Sequence, residues 1–199
     1  KLVGNHTFTH RNVANVSPER TFAELKLTRL LIECITGHTT ILFRPPYNAD
    51  SEPANMEELV PVVLAREQNY IDVGESIDPE DWQPGITADE IFNRVVKQIK
   101  QGSGHVILLH DAGGDTREET IKVLPRIIEY FQKRGYKFVT LDKILDRDRN
   151  QLMPDVKKGK EYYAMQANLA LVTITYDIIQ FLTALFIIFI LLGFGRLLF

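Results

Sequence analysis

The feature that most constrains this chain is an alternation of period. Stretches with apolar residues at helical spacing take turns with short apolar runs. From Ser17 to about Thr36, Phe22, Leu25, Ile32 and Ile35 recur at helical spacing, with Ser17 as cap, Pro18 at the first helical position and Gly37 as the stop. The run Thr40-Ile41-Leu42-Phe43 follows, and Arg44-Pro45-Pro46 ends it, because proline cannot continue a strand ladder. The same order predicts a helix over Met56 to Gln68 and a strand over Tyr70 to Val73. It then predicts a helix over Thr87 to Lys100, a strand over His105 to Leu109, a helix over Thr116 to Arg134 closed by Gly135, and a strand over Tyr136 to Thr140. Thr87 with Glu90 and Thr116 with Glu119 have the spacing of capping boxes. Alternating helices and strands imply a parallel sheet, so the fold class is α/β, layered or barrel.

The chain has 199 residues, 45% hydrophobic and 25% charged, which suits one globular domain plus an extra segment. A net charge of -3 without a clustered basic surface argues against nucleic acid as a partner. Cys34 is the single cysteine, so neither a disulfide framework nor a thiolate metal site is available, and a metal would have to sit on histidine and carboxylate. The opening Lys1-Leu2-Val3-Gly4 has neither Met nor a basic-then-apolar leader, and is expected to lie inside a domain.

Composition changes after about Asp148. Gln151 to Lys160 carries Pro154, Gly159 and three lysines, as expected of an exposed linker. From Ile178 to Phe194 only Gln180 and Thr183 are polar, and a membrane-spanning helix needs roughly 20 apolar residues. The alternative, a buried C-terminal helix of a soluble domain, usually shows a polar stripe, which this stretch lacks. The expected organisation is a domain over 1–148, a linker and juxtamembrane segment over 149–176 and a transmembrane helix over 177–199, with residues 178–199 in a lipid bilayer.

Functional groups gather where the predicted strands end, the rim on which parallel α/β barrels assemble active sites. His6-Thr7-Phe8-Thr9-His10 follows Leu2-Val3, and Arg44-Pro45-Pro46-Tyr47 follows the second run. Asp78-Pro79-Glu80-Asp81-Trp82 follows Tyr70 to Val73, and His110-Asp111 follows Val106 to Leu109. Two histidines three residues apart can point the same way, and neutral imidazole is a preferred ligand of zinc-like metals. His110 at the mouth of a buried strand suits acid–base work. Taken singly, each has a plainer reading: an accidental histidine pair, a hydrogen-bonded structural His110, Arg44 as a surface charge, Asp78 and Asp81 as turn formers, Trp82 as core. His38 and His105 are given no role.

His6-Thr7-x-x-His10, Arg44-Pro45-Pro46-Tyr47, Asp78-x-x-Asp81-Trp82 and Leu108-x-His110-Asp111, in this order, resemble motifs two to five of the NodB-homology polysaccharide deacetylases, carbohydrate esterase family 4. The resemblance spans roughly residues 1 to 146. It implies an incomplete distorted (β/α) barrel and hydrolysis of N-acetyl groups on an amino-sugar polysaccharide, an N-acetylated cell-wall or extracellular glycan. It implies that His6 and His10 hold a divalent metal, most often zinc, and that the backbone N–H of Tyr47 completes an oxyanion site. His110 would protonate the departing amine, Asp81 would orient that histidine, and Arg44 would position the catalytic base. Trp82 and Leu108 would line the pocket of the acetate methyl.

The family's first motif, Thr-Phe-Asp-Asp-Gly-Pro, supplies that base and the third metal ligand. It does not occur between Lys1 and Phe199, so this stretch alone is expected to bind metal weakly and turn over poorly. Asn48 stands where many relatives carry glycine. Tyr47 to Pro53, and Asp146 to Pro154 ahead of an apolar segment, resemble bifunctional proteins in which a membrane helix joins the deacetylase to a family 2 glycosyltransferase. Such a protein sits in the cell membrane with the deacetylase facing the exterior, although Lys157, Lys158 and Lys160 before the helix, against Arg196 near its end, run counter to the positive-inside rule. Two competing readings are a non-catalytic carbohydrate-binding module on the same fold, and a metal amidase acting on a small cyclic nitrogen compound.

Overall fold

The computed structural model describes residues 1–48, 56–113 and 116–197. It divides into two compact units, one of residues 1–29 and 40–154, the other of residues 30–39 and 155–199. Elements run α1 (Pro18–Thr36), β1 (Leu42–Phe43), α2 (Met56–Glu67), β2 (Ile71–Asp72), α3 (Ala88–Lys100), α4 (Glu118–Gln132), α5 (Leu141–Ile144), α6 (Arg149–Leu152) and α7 (Lys160–Leu197).

In the first unit the sheet is parallel and narrow. β1 pairs with β2 in the register Leu42 to Ile71 and Phe43 to Asp72. On the other side of β1, Asn5 N–H donates to the Leu42 carbonyl and Arg44 N–H to the Asn5 carbonyl. A second parallel contact joins Ile77 to Ile107. The strand expected over His105 to Leu109 is therefore one bridge. The strand expected over Tyr136 to Thr140 has no ladder among the described residues, and Phe138 and Val139 stay about half exposed. A strand exists only through its neighbours, and apolar alternation cannot supply them.

The helices follow the sequence more closely, because their signals are local. Thr87 and Glu90 form the expected capping box, each side chain satisfying the other's backbone N–H. The box expected at Thr116 and Glu119 does not form. α4 starts at Glu118, and the Glu119 carboxylate instead accepts the free N–H of Ala88, at 2.8 Å, in the first turn of α3. α3 and α4 then bury Ile91 and Val95 against Val123, Ile127 and Phe131, with Ile77 beneath. Each large side chain buried this way contributes roughly 1.5 to 3 kcal/mol. A second cluster packs Leu25 of α1 with Phe43, Ala65 and Tyr70. The stretch read as an exposed linker also differs: α6 runs into its first two residues, and Leu152 and Met153 are buried, with the Leu152 carbonyl accepting Ile41 N–H.

In the second unit α7 is one unbroken helix of 38 residues, beginning at Lys160 rather than near Ile178. Residues 160–194 are long and apolar enough to cross a membrane, by length and composition, and no residue of their most apolar 18-residue window is buried in the structure. The hydroxyls of Thr173, Thr175 and Thr183 donate to carbonyls one turn back, which satisfies them within the helix. Gln166 Nε2 donates to the Cys34 carbonyl at 2.8 Å, and His38 Nδ1 lies 3.1 Å from Asp155.

Candidate active site

Three consecutive backbone N–H groups build the first corner of the site. Asn5, 1% exposed, accepts Thr7 N–H on Oδ1 at 2.9 Å while its Nδ2 donates to the Leu25 carbonyl and the Tyr70 hydroxyl. Phe8 and Thr9 N–H both donate to Glu24 of α1. Between these anchors the chain turns through left-handed backbone at Thr7 (φ 64°) and His10 (φ 54°), conformations that a β-branched or bulky side chain rarely adopts. The turn sets the His6 and His10 rings edge to face, 5.0 Å between centroids, with His10 also 5.2 Å from the Tyr47 ring.

His6 Nδ1 lies 2.6 Å from the Arg44 carbonyl, which can only accept, so Nδ1 carries the proton and Nε2 keeps its lone pair. Burial, the larger effect, and the charge of Arg44 outweigh that bond and hold the His6 imidazole below the ordinary histidine range, hence neutral. A neutral ring whose second nitrogen is fixed by a backbone carbonyl is the form in which histidine binds metals. The donor set at His6 and His10 thus fits two ligands of a zinc-type ion. Among the described residues no group of three or more histidine, cysteine or acidic side chains could hold one.

The second corner is His110 and Asp81. Asp81 is buried and its carboxylate accepts three bonds: from His110 Nδ1 at 2.7 Å, from His110 N–H at 3.0 Å and from the Thr120 hydroxyl at 2.8 Å. That pairing leaves Nε2 as the His110 ring nitrogen not bonded to Asp81. Arg117 braces the same turn, donating to the carbonyls of Ala112 and Asp81.

His6, His10, Arg44, Tyr47, Trp82, Leu108 and His110 all line one cleft of about 770 Å³. Asp81 sits behind it, bonded to His110. Tyr47 has φ 64° and ψ 26°, a strained backbone of the kind that recurs at functional sites, and its side chain is largely exposed. Trp82 is half exposed rather than core. Asp78 lines the cleft and also forms a turn, accepting Glu80 N–H at 2.7 Å. His105 lies 6.0 Å from the Tyr136 ring, outside the cleft lining. Residues 49–53, most of the stretch from Tyr47 to Pro53 that resembles the bifunctional proteins, lie outside the described residues.

Three residues went unnoticed in the sequence. The Glu75 side chain is 5% exposed and lies 3.5 Å from Arg44 Nη1. Asn5 and Glu24 hold the histidine turn. The spacing of Arg20 and Glu24, one helical turn apart, was the only local signal, and it looks the same as an ordinary surface pair.

Residues 2–59 match the family model for polysaccharide deacetylases. The chain is 34% identical over 146 residues to a peptidoglycan-N-acetylglucosamine deacetylase of Bacillus cereus, covering 72% of this chain and 62% of that protein. A second Bacillus cereus deacetylase of the same name is 30% identical, over 75% of this chain and 51% of its own length. The chain therefore spans about half to three fifths of these curated relatives. The crystal structure of a peptidoglycan N-acetylglucosamine deacetylase bound to an N-hydroxybenzamide compound superposes with a TM-score of 0.62 at 30% identity, covering 73% of this chain and 64% of that one. A family 4 pseudoenzyme from Bacillus anthracis superposes at 0.59 with 26% identity, covering 73% of this chain and 49% of that one. The chain is thus similar to polysaccharide deacetylases both in the stretch that the family model matches and in its fold. A chitin deacetylase of Saccharomyces cerevisiae is also similar, 29% identical over 61% of this chain and 38% of its own length.

Proposed function

We propose that this chain carries the active-site cleft of a metal-dependent hydrolase that removes N-acetyl groups from a cell-wall or extracellular amino-sugar polysaccharide. The observation that carries the reading is the pairing of His110 with buried Asp81 on the wall of the cleft that His6 and His10 also line. His6 and His10 would hold a divalent metal, zinc in this reading, whose chemistry is to polarise the acetamide carbonyl and activate a water. His110 delivers a proton from Nε2 to the departing amine as the carbonyl C–N bond breaks and the water's oxygen joins the carbonyl carbon. Asp81 fixes the imidazole so that Nε2, not Nδ1, faces the leaving group. The Tyr47 N–H donates to the developing oxyanion. Trp82 and Leu108 enclose the acetate methyl, and Arg44 orients the catalytic base by charge.

In the same reading α7 crosses a membrane through residues 178–199 and the deacetylase faces the cell exterior. The parent protein joins this unit through α7 to a family 2 glycosyltransferase, which the coding sequence beyond Phe199 tests. The test of the activity is acetate release from N-acetylglucosamine oligomers by the parent protein. Release should stop with a chelator and fall about 10²-fold or more in His110→Ala. Oligomer binding without acetate release would favour the second reading, a non-catalytic carbohydrate-binding module; the similar Bacillus anthracis protein is a pseudoenzyme.

A further inference from the structure

Glu24 lies outside the cleft lining and is 1% exposed, yet four hydrogen bonds and an ion pair converge on its carboxylate. Phe8 and Thr9 N–H donate to Oε2 at 2.8 and 2.7 Å, and the Thr9 hydroxyl donates to Oε1 at 2.6 Å. Arg20 closes on Oε1 with Nε at 2.9 Å and Nη2 at 2.7 Å. No lone pair is left to ligate an ion, so any role of Glu24 at the site is indirect.

The turn it grips has reason to be gripped. Thr7 and His10 both lie in the left-handed region without being glycine, and such conformations persist only where the surroundings over-determine them. Released, those residues would relax toward extended or right-handed backbone, and the two imidazoles would swing apart. Asn5 holds the turn at Thr7 N–H, while Glu24 holds the next two N–H groups. Both anchors are fixed to α1, Asn5 through the Leu25 carbonyl and Glu24 by belonging to the helix. One helix therefore sets the conformation between the histidines from both ends.

We propose that Glu24, completed by Arg20, is the positioning residue of the His6 and His10 pair, clamping the Phe8–Thr9 backbone so that both imidazoles face one cleft. The inference rests on the reading of those histidines as metal ligands. Its function is preorganisation: the ion would meet a pair already set, rather than one it must order.

The experiment uses the full chain with Co²⁺ as the probe, read by its visible absorption and by competition with a chromophoric chelator, together with hydrogen exchange. Glu24→Gln keeps the volume but turns one acceptor into a donor facing N–H groups. It should weaken Co²⁺ binding about tenfold or more. The Phe8 and Thr9 amides should exchange about tenfold faster while those of α3 and α4 keep their protection. Thr9→Val, at an exposed position, removes the hydroxyl's bond to Glu24 and the long one it accepts from Arg20, and should weaken binding about fivefold; it decides the matter if Glu24→Gln unfolds. Co²⁺ affinities within twofold of the parent chain in both variants, or unchanged exchange at Phe8 and Thr9, would overturn the clamp. His6→Ala separates the two ideas. If it binds Co²⁺ as the parent does, the ligand reading fails, and the exchange measurement alone then decides whether Glu24 holds the turn.

Discussion

Asp81 holds His110 by two atoms at once, taking the ring proton on Nδ1 with one carboxylate oxygen at 2.7 Å and the backbone N–H with the other at 3.0 Å. The ring can neither flip nor exchange its proton between nitrogens without breaking a buried bond. Asp81→Asn offers an amide in place of one oxygen and disturbs this tautomer. Acetate release from N-acetylglucosamine oligomers should fall about 10²-fold or more, with an unchanged far-ultraviolet circular dichroism spectrum. Retained turnover would detach Asp81 from catalysis.

Acid should loosen the histidine turn. Burial pushes the Glu24 carboxyl up, but the bonds from Thr9, Arg20 and Phe8 outweigh it and hold it below the usual glutamate range. A depressed folded value means that Glu24 contributes stability above its unfolded value, about 4.3, and loses it as pH falls through the folded one. The parent chain should therefore lose thermal stability below about pH 4.3 more steeply than Glu24→Gln does. Parallel melting curves for the two would refute this.

Asp72 acts with the opposite sign. Burial alone pushes its carboxyl up to about 6, and Oδ1 is buried without a hydrogen-bond partner among the described residues. Its protonated form is favoured in the fold, so the contribution is complete below the unfolded value of about 3.9 and is lost as pH rises through the folded one. Asp72→Asn should raise Tm at pH 7.5 and leave it nearly unchanged at pH 4, as read by differential scanning fluorimetry. An equal shift at both pH values would contradict the assignment.

Gly104 is irreplaceable on steric grounds. Its φ of 127° disfavours any side chain, and a Cβ there would meet Ser76 Cβ at 2.5 Å as well as its hydroxyl. That hydroxyl accepts Val106 N–H at 3.0 Å, beside the Ile77 to Ile107 bridge. Gly104→Ala should cost about 1 to 3 kcal/mol of unfolding free energy in urea titration. A loss under about 0.5 kcal/mol, the range of ordinary surface changes, would mean that the Ser76 segment yields freely.

α7 should take the chain into lipid. In detergent phase separation the full chain should enter the detergent-rich phase, and a chain ending at Gly159 should stay in the aqueous one. Recovery of the full chain as an aqueous monomer would remove the span.

Helix boundaries were legible because their causes are local: Ser17 and Gly37 bracket α1, and Thr87 with Glu90 opens α3. The sheet was less so. His105 to Leu109 and Tyr136 to Thr140 have strand-like composition, but a ladder needs a second backbone, and one formed only at Ile107. At the site, the chemical residue types stood out at the rim and the structure lines one cleft with them. Their supports did not stand out. Asn5 with Tyr70 and Arg44 with Glu75 are separated by 65 and 31 positions, and no spacing rule joins them. Glu119 was read for its own helix, whereas it caps the neighbouring one.

The length of α7 has a mechanical consequence. At about 1.5 Å per residue its 38 residues measure about 57 Å, nearly twice the roughly 30 Å of hydrocarbon in a bilayer. In the proposed span some eighteen residues would therefore project beyond the lipid tails. Because no break interrupts the backbone ladder from Lys160 to Leu197, that overhang would be a stiff strut, and any change of inclination inside the bilayer would be transmitted along it to Lys160.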